Sequence, residues 1–179
     1  MVIDFIRVYS DSIESELSDS LINLFKSGEC QYIDNNGTPT FSQININQSY
    51  PEYIKILSSV TLSSLKKYKE EFPDFCKWFP PRIFLEEFRI KKYNGGTSDR
   101  FDLHVDIQDH ESSRRVLAFL FYLNDNYEGG ETEFPYHSRK IQPKSGSVLV
   151  FPPNWQYPHA GLPVRKGTKY ILSTYLHYY

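Results

Sequence analysis

His104, Val105 and Asp106 stand together in the chain, a single His159 follows fifty-three positions after Asp106, and Lys169 lies ten positions further on. Two imidazoles and one carboxylate can cap one face of an octahedral metal ion and leave three positions open, a donor set suited to Fe(II) that must also hold other ligands. In a β-strand, residues i and i+2 point to the same side, so His104 and Asp106 would project together while Val105 faces away. The third ligand has to come from another element. His159 follows the apolar run from Ser147 to Phe151 and a short Pro-rich loop, which places it on a neighbouring strand of a folded-back sheet. Taken alone, His-x-Asp is a weak signal in a chain with five His and 22 acidic residues.

Lys169 strengthens it. The segment Thr168 to Leu176 reads as a strand whose alternation sets Lys169 on one face with Ile171, Ser173 and Tyr175. If that face points inward, the ammonium needs an anionic partner, because a lone buried charge is too costly to keep. A carboxylate ligand is the obvious partner. The alternative is a strand-end lysine whose head reaches water.

The elements that would carry these residues divide unevenly. Asp11 or Ser12 could cap a helix to about Lys26, with Ile13, Leu17, Leu21, Leu24 and Phe25 on one stripe and Gly28 closing it. Asn35-Asn36-Gly37 reads as a turn, and a second helix is expected from Pro51 to about Glu71 through Ile54, Leu57, Val60, Leu65 and Tyr68. From Ile83 onward short apolar runs alternate with Gly, Pro and Asn clusters, which suggests an antiparallel sandwich or barrel. The expected fold is therefore α+β: a double-stranded β-helix, or jelly roll, with N-terminal helices packed on one sheet. A single domain over 1–179 would comprise a helical support region, 1–80, and a jelly-roll core, 81–179.

Four ordered motifs resemble the Fe(II)- and 2-oxoglutarate-dependent dioxygenases, in particular their prolyl 4-hydroxylase-like branch. They are His104-Val105-Asp106; Tyr122-Leu123-Asn124-Asp125 leading into Gly129-Gly130-Glu131-Thr132-Glu133-Phe134; Pro143-Lys144-Ser145-Gly146-Ser147; and His159 to Val164 ending in Gly167-Thr168-Lys169-Tyr170. The resemblance implies that His104, Asp106 and His159 bind iron and are the catalytic set, and that Lys169 holds the distal carboxylate of 2-oxoglutarate. It implies O2 as cosubstrate, with ascorbate as an optional addition. Tyr93 looks like the family tyrosine that bonds the same carboxylate, and Thr132 is a further candidate for contact with it. Arg115 sits where such hydroxylases carry an arginine that contacts a peptide substrate, on a strand face expected to be shared with Leu117, Phe119 and Phe121. Trp155, Tyr157 and Tyr175 are candidates to line the substrate cavity, with core packing as the alternative. The chain departs from the pattern at Phe101, where many members carry a tyrosine. The Tyr93–Asp102 loop, with Gly95 and Gly96 as hinges, is a candidate lid.

The function that follows is hydroxylation of a C–H bond, first of a prolyl residue in a peptide or protein, with release of succinate and CO2. A free amino acid or another side chain is the next choice, and a non-catalytic peptide-binding jelly-roll module the third. A Zn²⁺ hydrolase or a cupin-type isomerase could use the same ligands, but neither needs a lysine ten residues past the last one. A net charge of −2 and scattered Lys and Arg give no basic field for nucleic acid. No apolar run reaches the ~20 residues of a membrane span, and the start of the chain, with Asp4 inside its short apolar stretch, does not read as a secretory signal. Two cysteines, Cys30 and Cys76, fit a reducing compartment, so a cytoplasmic protein with a proline-containing peptide or protein partner is expected.

Overall fold

The computed structural model describes residues 4–79 and 81–179; part of the N-terminal stretch weighed as a secretory signal, Met1 to Ile3, lies outside the described residues. In chain order the elements are β1 (Arg7–Tyr9), α1 (Ser15–Ser27), β2 (Gln31–Asp34), β3 (Thr40–Asn45), α2 (Ile46–Ser49), α3 (Ile54–Glu71), α4 (Pro73–Cys76), β4 (Ile83–Leu85), β5 (Arg89–Asn94) and β6 (Phe101–His104). They continue with β7 (Arg115–Tyr122), β8 (Glu128–Gly129), β9 (Thr132–Phe134), β10 (Arg139–Ile141), β11 (Val148–Phe151), β12 (His159–Gly161), β13 (Val164–Lys166) and β14 (Thr168–Tyr178).

The long helices form where the apolar stripe predicts. α1 buries Leu21, Ile22 and Phe25, and ends where the Gly28 amide donates to the Leu24 carbonyl at 2.9 Å. It begins at Ser15 rather than at Asp11. The amides of Ser12 and Ile13 donate instead to the Gly146 carbonyl, so Ile13 enters the core from an extended segment ahead of the helix. Pro51 opens a short 3₁₀ turn that runs into α3, whose buried face carries Leu57, Leu65 and Tyr68.

All strand pairs are antiparallel. The major sheet runs β1-β11-β7-β14-β5-β3-β2, with β4 also paired to β14, and the minor sheet runs β10-β9-β12-β6. Residues 1–80 are thus more than a helical support: β1, β2 and β3 belong to the major sheet. Alternation along its strands separates two cores. Leu117, Phe119 and Phe121 of β7, Val148 and Val150 of β11 and Leu172 of β14 meet α1 and α3, while Ala118, Tyr122, Leu149, Phe151 and Ile171 face the minor sheet. Burying one such Phe is worth about 1.5–3 kcal/mol, and Phe119 and Phe121 are fully enclosed. This is the jelly-roll architecture, with helices covering the outer face of the major sheet and the inner face free to build a site. Among the described residues no helix is long and apolar enough to cross a membrane.

Candidate active site

His104 ends β6, and His159 opens β12 directly opposite it in the register of the minor sheet. Asp106 stands just past the end of β6, held by its amide donating to the Pro153 carbonyl at 3.1 Å. His104 Nε2 lies 3.4 Å from Asp106 Oδ1, and His159 Nε2 lies 3.6 Å from Asp106 Oδ2. The three side chains therefore offer one ligand atom each within 4.8 Å of one another. His104 Nδ1 is 2.7 Å from the Asp102 carbonyl and His159 Nδ1 is 3.1 Å from the Tyr157 carbonyl. A carbonyl can only accept, so both Nδ1 atoms carry the proton and both Nε2 lone pairs are turned to the centre. Phe101 stacks on the His104 ring at 3.5 Å, so the phenylalanine at the departure from the family pattern still fixes the imidazole.

Electrostatics favour a cation there. Burial drives the His159 imidazole down to about 4, with the Asp106 carboxylate only partly opposing, so it is neutral at physiological pH. Burial would raise the Asp106 carboxyl, but His159, His104 and the Lys91 ammonium outweigh it and hold it at about 2. Two imidazole nitrogens and one ionised oxygen are a donor set that fits a divalent metal on one face.

Two cavities meet at this triad. The inner cleft is lined by Tyr93, Thr132, His159, Lys169 and Ile171, and the outer cavity, about 560 Å³, by Glu86, Arg89, Gln108, Arg115 and Ser173. Lys91, Phe101, His104, Asp106 and Tyr175 line both. Lys169 points inward as its alternation predicts and is 4% exposed. Its Nζ donates to the Gly130 carbonyl at 2.7 Å, and it lies 5.4 Å from the ring centre of Tyr93, its cross-strand neighbour, and 5.6 Å from that of Tyr122. No carboxylate of the described residues pairs with it within 4.0 Å, and burial lowers the ammonium to about 8 with Glu131 partly opposing. Thr132 Oγ1 and Tyr122 Oη share a hydrogen bond of 2.7 Å beside it.

The structure brings together His104, Asp106, His159, Lys169, Tyr93, Thr132 and Tyr175. It does not bring Trp155, which is 77% exposed on the loop before His159 and lines neither cavity. Tyr157 is buried among core residues of the inner face instead of lining the site. Arg115 reaches the outer cavity, but not on the face of Leu117, Phe119 and Phe121. A bulge between β7 and β14 pairs Leu176 with Leu117 and His177 with Arg115, and the extra Val116 reverses the parity of the strand. Nor is its fork free. Nε and one terminal nitrogen donate to Glu86 at 2.7 and 3.0 Å, the other donates to the Asp106 carbonyl at 2.7 Å, and the guanidinium lies 3.9 Å from the Tyr175 ring centre. The Tyr93–Asp102 loop is not a loose lid: the amides of Gly95 and Gly96 donate to the Gly167 and Val164 carbonyls, and the buried Asp99 carboxylate accepts from Asn94. Glu86 and Lys91 are site residues that the sequence reading missed, and Tyr122, quoted there only as part of a motif, stands beside Lys169 and Thr132. Lys91 and Tyr93 share one face of β5 and Tyr122 shares one with Ala118, and those alternations were the available signals.

The sequence pattern of the 2OG-Fe(II) oxygenase superfamily matches residues 88–177, half of the 179-residue chain. A protein of Acanthamoeba polyphaga mimivirus, named provisionally as a prolyl 4-hydroxylase, is 40% identical over 122 residues, covering 59% of this chain and 50% of its own. An Arabidopsis thaliana protein named provisionally as prolyl 4-hydroxylase 9 is 31% identical over 123 residues, covering 54% of this chain and 42% of its own. The chain thus spans half or less of the length of these relatives. Among solved structures, the viral collagen prolyl hydroxylase of Paramecium Bursaria Chlorella virus-1 superposes with a TM-score of 0.76 at 24% identity, covering 98% of this chain and 97% of its own. A Trichoplax adhaerens prolyl hydroxylase in complex with a hypoxia inducible factor peptide fragment gives 0.75 at 21% identity, covering 96% and 83%. Those two likenesses establish the shared fold, and the match across 88–177, which takes in every member of the His104, Asp106, His159 and Lys169 set, establishes that the chain belongs to the 2OG-Fe(II) oxygenase superfamily.

Proposed function

We propose that the chain is an Fe(II)- and 2-oxoglutarate-dependent hydroxylase whose substrate is a prolyl residue in a peptide or protein. The observation that carries this reading is the convergence of two imidazoles and one ionised carboxylate on a cleft that also holds a buried ammonium with no carboxylate partner among the described residues. His104, Asp106 and His159 would hold the metal on one face, leaving the opposite face to the two cavities. Bound there, the iron with 2-oxoglutarate and dioxygen supplies the oxidising power that turns a substrate C–H into C–OH and leaves succinate and CO2.

The chain's own residues do the positioning. Lys169 receives the distal carboxylate at the closed end of the inner cleft, where a charge-assisted hydrogen bond in a dry site is strong and directional. Tyr93 and Thr132 flank that end, and the Tyr93 phenol, raised by burial, stays a neutral donor. Arg115 acts on the metal site from behind: it ties Glu86 to the main chain of Asp106 and so sets where that carboxylate points. Tyr175 closes the boundary between cleft and outer cavity, its phenol kept protonated by burial beside Asp106. A binding module has no use for a buried ammonium aimed at a metal-ligand set, and a zinc hydrolase leaves Lys169 without a role.

We place all of residues 1–179 in one catalytic domain, because α1, α3, β1 and β3 share a core with β7, β11 and β14, and β2 extends the same sheet beside β3. Cys30 and Cys76 are unpaired, which fits a reducing compartment and supports the cytoplasm as the place of action. The test is anaerobic loading with Fe(II) and 2-oxoglutarate, then exposure to air with a proline-containing peptide library. Mass spectrometry should find one added oxygen atom on proline in a subset of peptides, with matching succinate. Succinate release that no peptide stimulates would refute the peptide-hydroxylase reading.

A further inference from the structure

Lys91 has no task in holding the metal or gripping the distal carboxylate, yet it stands at the centre of the site. It lies in β5 two residues before Tyr93, on the face turned to the minor sheet, while Ile90 beside it packs toward the helices. It is one of the five residues that line both cavities. Of the other cations of the outer cavity, Arg115 is forked to Glu86 and Arg89 pairs with Glu87, while Arg114 is exposed to solvent and so carries no burial cost that a ligand would relieve. Lys91 has neither an ion pair nor a hydrogen bond among the described residues, and its Nζ only lies 5.1 Å from the ring centre of Phe41.

Its charge has no bonded partner among the described residues, in a place where one matters. Burial depresses the ammonium to about 8, and the anion that most opposes this is Asp106. That carboxylate already faces two imidazoles, and on the proposed reading a divalent cation as well, which adds repulsion toward Lys91. A cation held at the mouth side of such a centre is stabilised by an anion that arrives with a ligand. Lys169 takes the far end of the cosubstrate at the closed end of the inner cleft. Lys91 neighbours Glu86, Arg89 and Arg115 of the outer cavity, the space that the proposed reading leaves for the substrate.

We propose that Lys91 is a specificity-determining residue whose ammonium receives a carboxylate of the substrate, so that the molecule hydroxylated here carries an acidic group close to the reacting carbon. The proposal rests on the hydroxylase reading of the site. The acid is either a neighbouring Asp or Glu side chain or a free terminal carboxylate.

The test is a binding measurement that needs no turnover. Protein loaded anaerobically with Mn(II) and 2-oxoglutarate is titrated calorimetrically with matched pairs: Pro-Glu against Pro-Gln peptides, proline peptides ending in a free acid against the amide, and N-acetylproline against N-acetylprolinamide. At least one acid should bind on the order of tenfold more tightly than its amide, as a hydrogen bond to a charged group allows. That ratio should fall to within about twofold in Lys91→Met and return in Lys91→Arg, with 2-oxoglutarate affinity unchanged in both. If Lys91→Met does not fold, as judged by circular dichroism, Lys91→Gln takes its place. The proposal is overturned if no pair shows an acid preference in the unaltered protein or if the preference survives loss of the ammonium. It is equally overturned if the variant loses 2-oxoglutarate affinity instead, which would assign Lys91 to the near carboxylate of the cosubstrate. Failure of the hydroxylase reading shows separately, as peptides that never stimulate succinate release.

Discussion

Replacing Lys169 by Ala removes a charge from the most enclosed part of the site. The side chain is 4% exposed, its ammonium has one protein acceptor, the Gly130 carbonyl at 2.7 Å, and no carboxylate of the described residues is paired with it. A cosubstrate carboxylate bound there would lose its charged partner in a pocket that water scarcely reaches, a loss on the order of 2–5 kcal/mol for a buried, hydrogen-bonded pair. Apparent affinity for 2-oxoglutarate should fall by between about thirtyfold and several thousandfold. Metal affinity should change little, because Lys169 bonds none of the three ligands. The fold should not suffer: an ammonium lowered to about 8 by burial costs stability at every pH below that value, and truncation removes the cost with the charge. Anaerobic calorimetry of 2-oxoglutarate into Mn(II)-loaded protein, beside a thermal melt, separates the two effects. Unchanged cosubstrate affinity together with a lowered melting temperature would refute the anchor and make Lys169 a structural donor to Gly130.

Arg115→Ala should leave the Glu86 carboxylate unpaired and free the main chain at Asp106, costing about 2–4 kcal/mol of stability at this one-fifth-exposed pair. Peptide-dependent and uncoupled succinate release should fall together, and selective loss of the peptide-dependent reaction would instead return Arg115 to substrate contact. In the protein without cosubstrate, the Lys169 ammonium sits at about 8 through burial, so 2-oxoglutarate affinity should be flat below that pH and fall by about tenfold per pH unit above it. Lys169→Arg, whose guanidinium stays charged, should abolish that fall, and a persistent fall would assign it to another group.

The residues proposed to hold the metal were legible in the sequence because each signal was short-range or periodic. His104 and Asp106 are two apart at the end of one strand, and Lys169 faces the site through simple alternation in β14, the longest strand. His159 could be found because an apolar run and a loop precede it. The strands of residues 1–80 were hidden. β1 is three residues long, and β2, with exposed Gln31, Tyr32 and Asp34, shows no apolar alternation; both are specified by long-range pairing with β11 and β3. Arg115 was placed on the wrong face because a one-residue bulge at Val116 reverses the parity, and only the register with β14 reveals it. Trp155 is close to His159 in sequence but lines neither cavity, and its side chain is turned to solvent. Lys91 escaped notice because Lys91-Lys92 resembles an ordinary solvated pair until the minor sheet covers one of the two faces.

The central claim is that His104, Asp106 and His159 hold one metal that also chelates 2-oxoglutarate, with Lys169 fixing its far end. The most direct measurement is the visible charge-transfer absorption of protein mixed anaerobically with Fe(II) and 2-oxoglutarate. The unaltered protein should develop a weak band that needs both components, while His104→Ala and His159→Ala should each fail to develop it. A band of full intensity in both histidine variants, with iron affinity intact, would contradict the account.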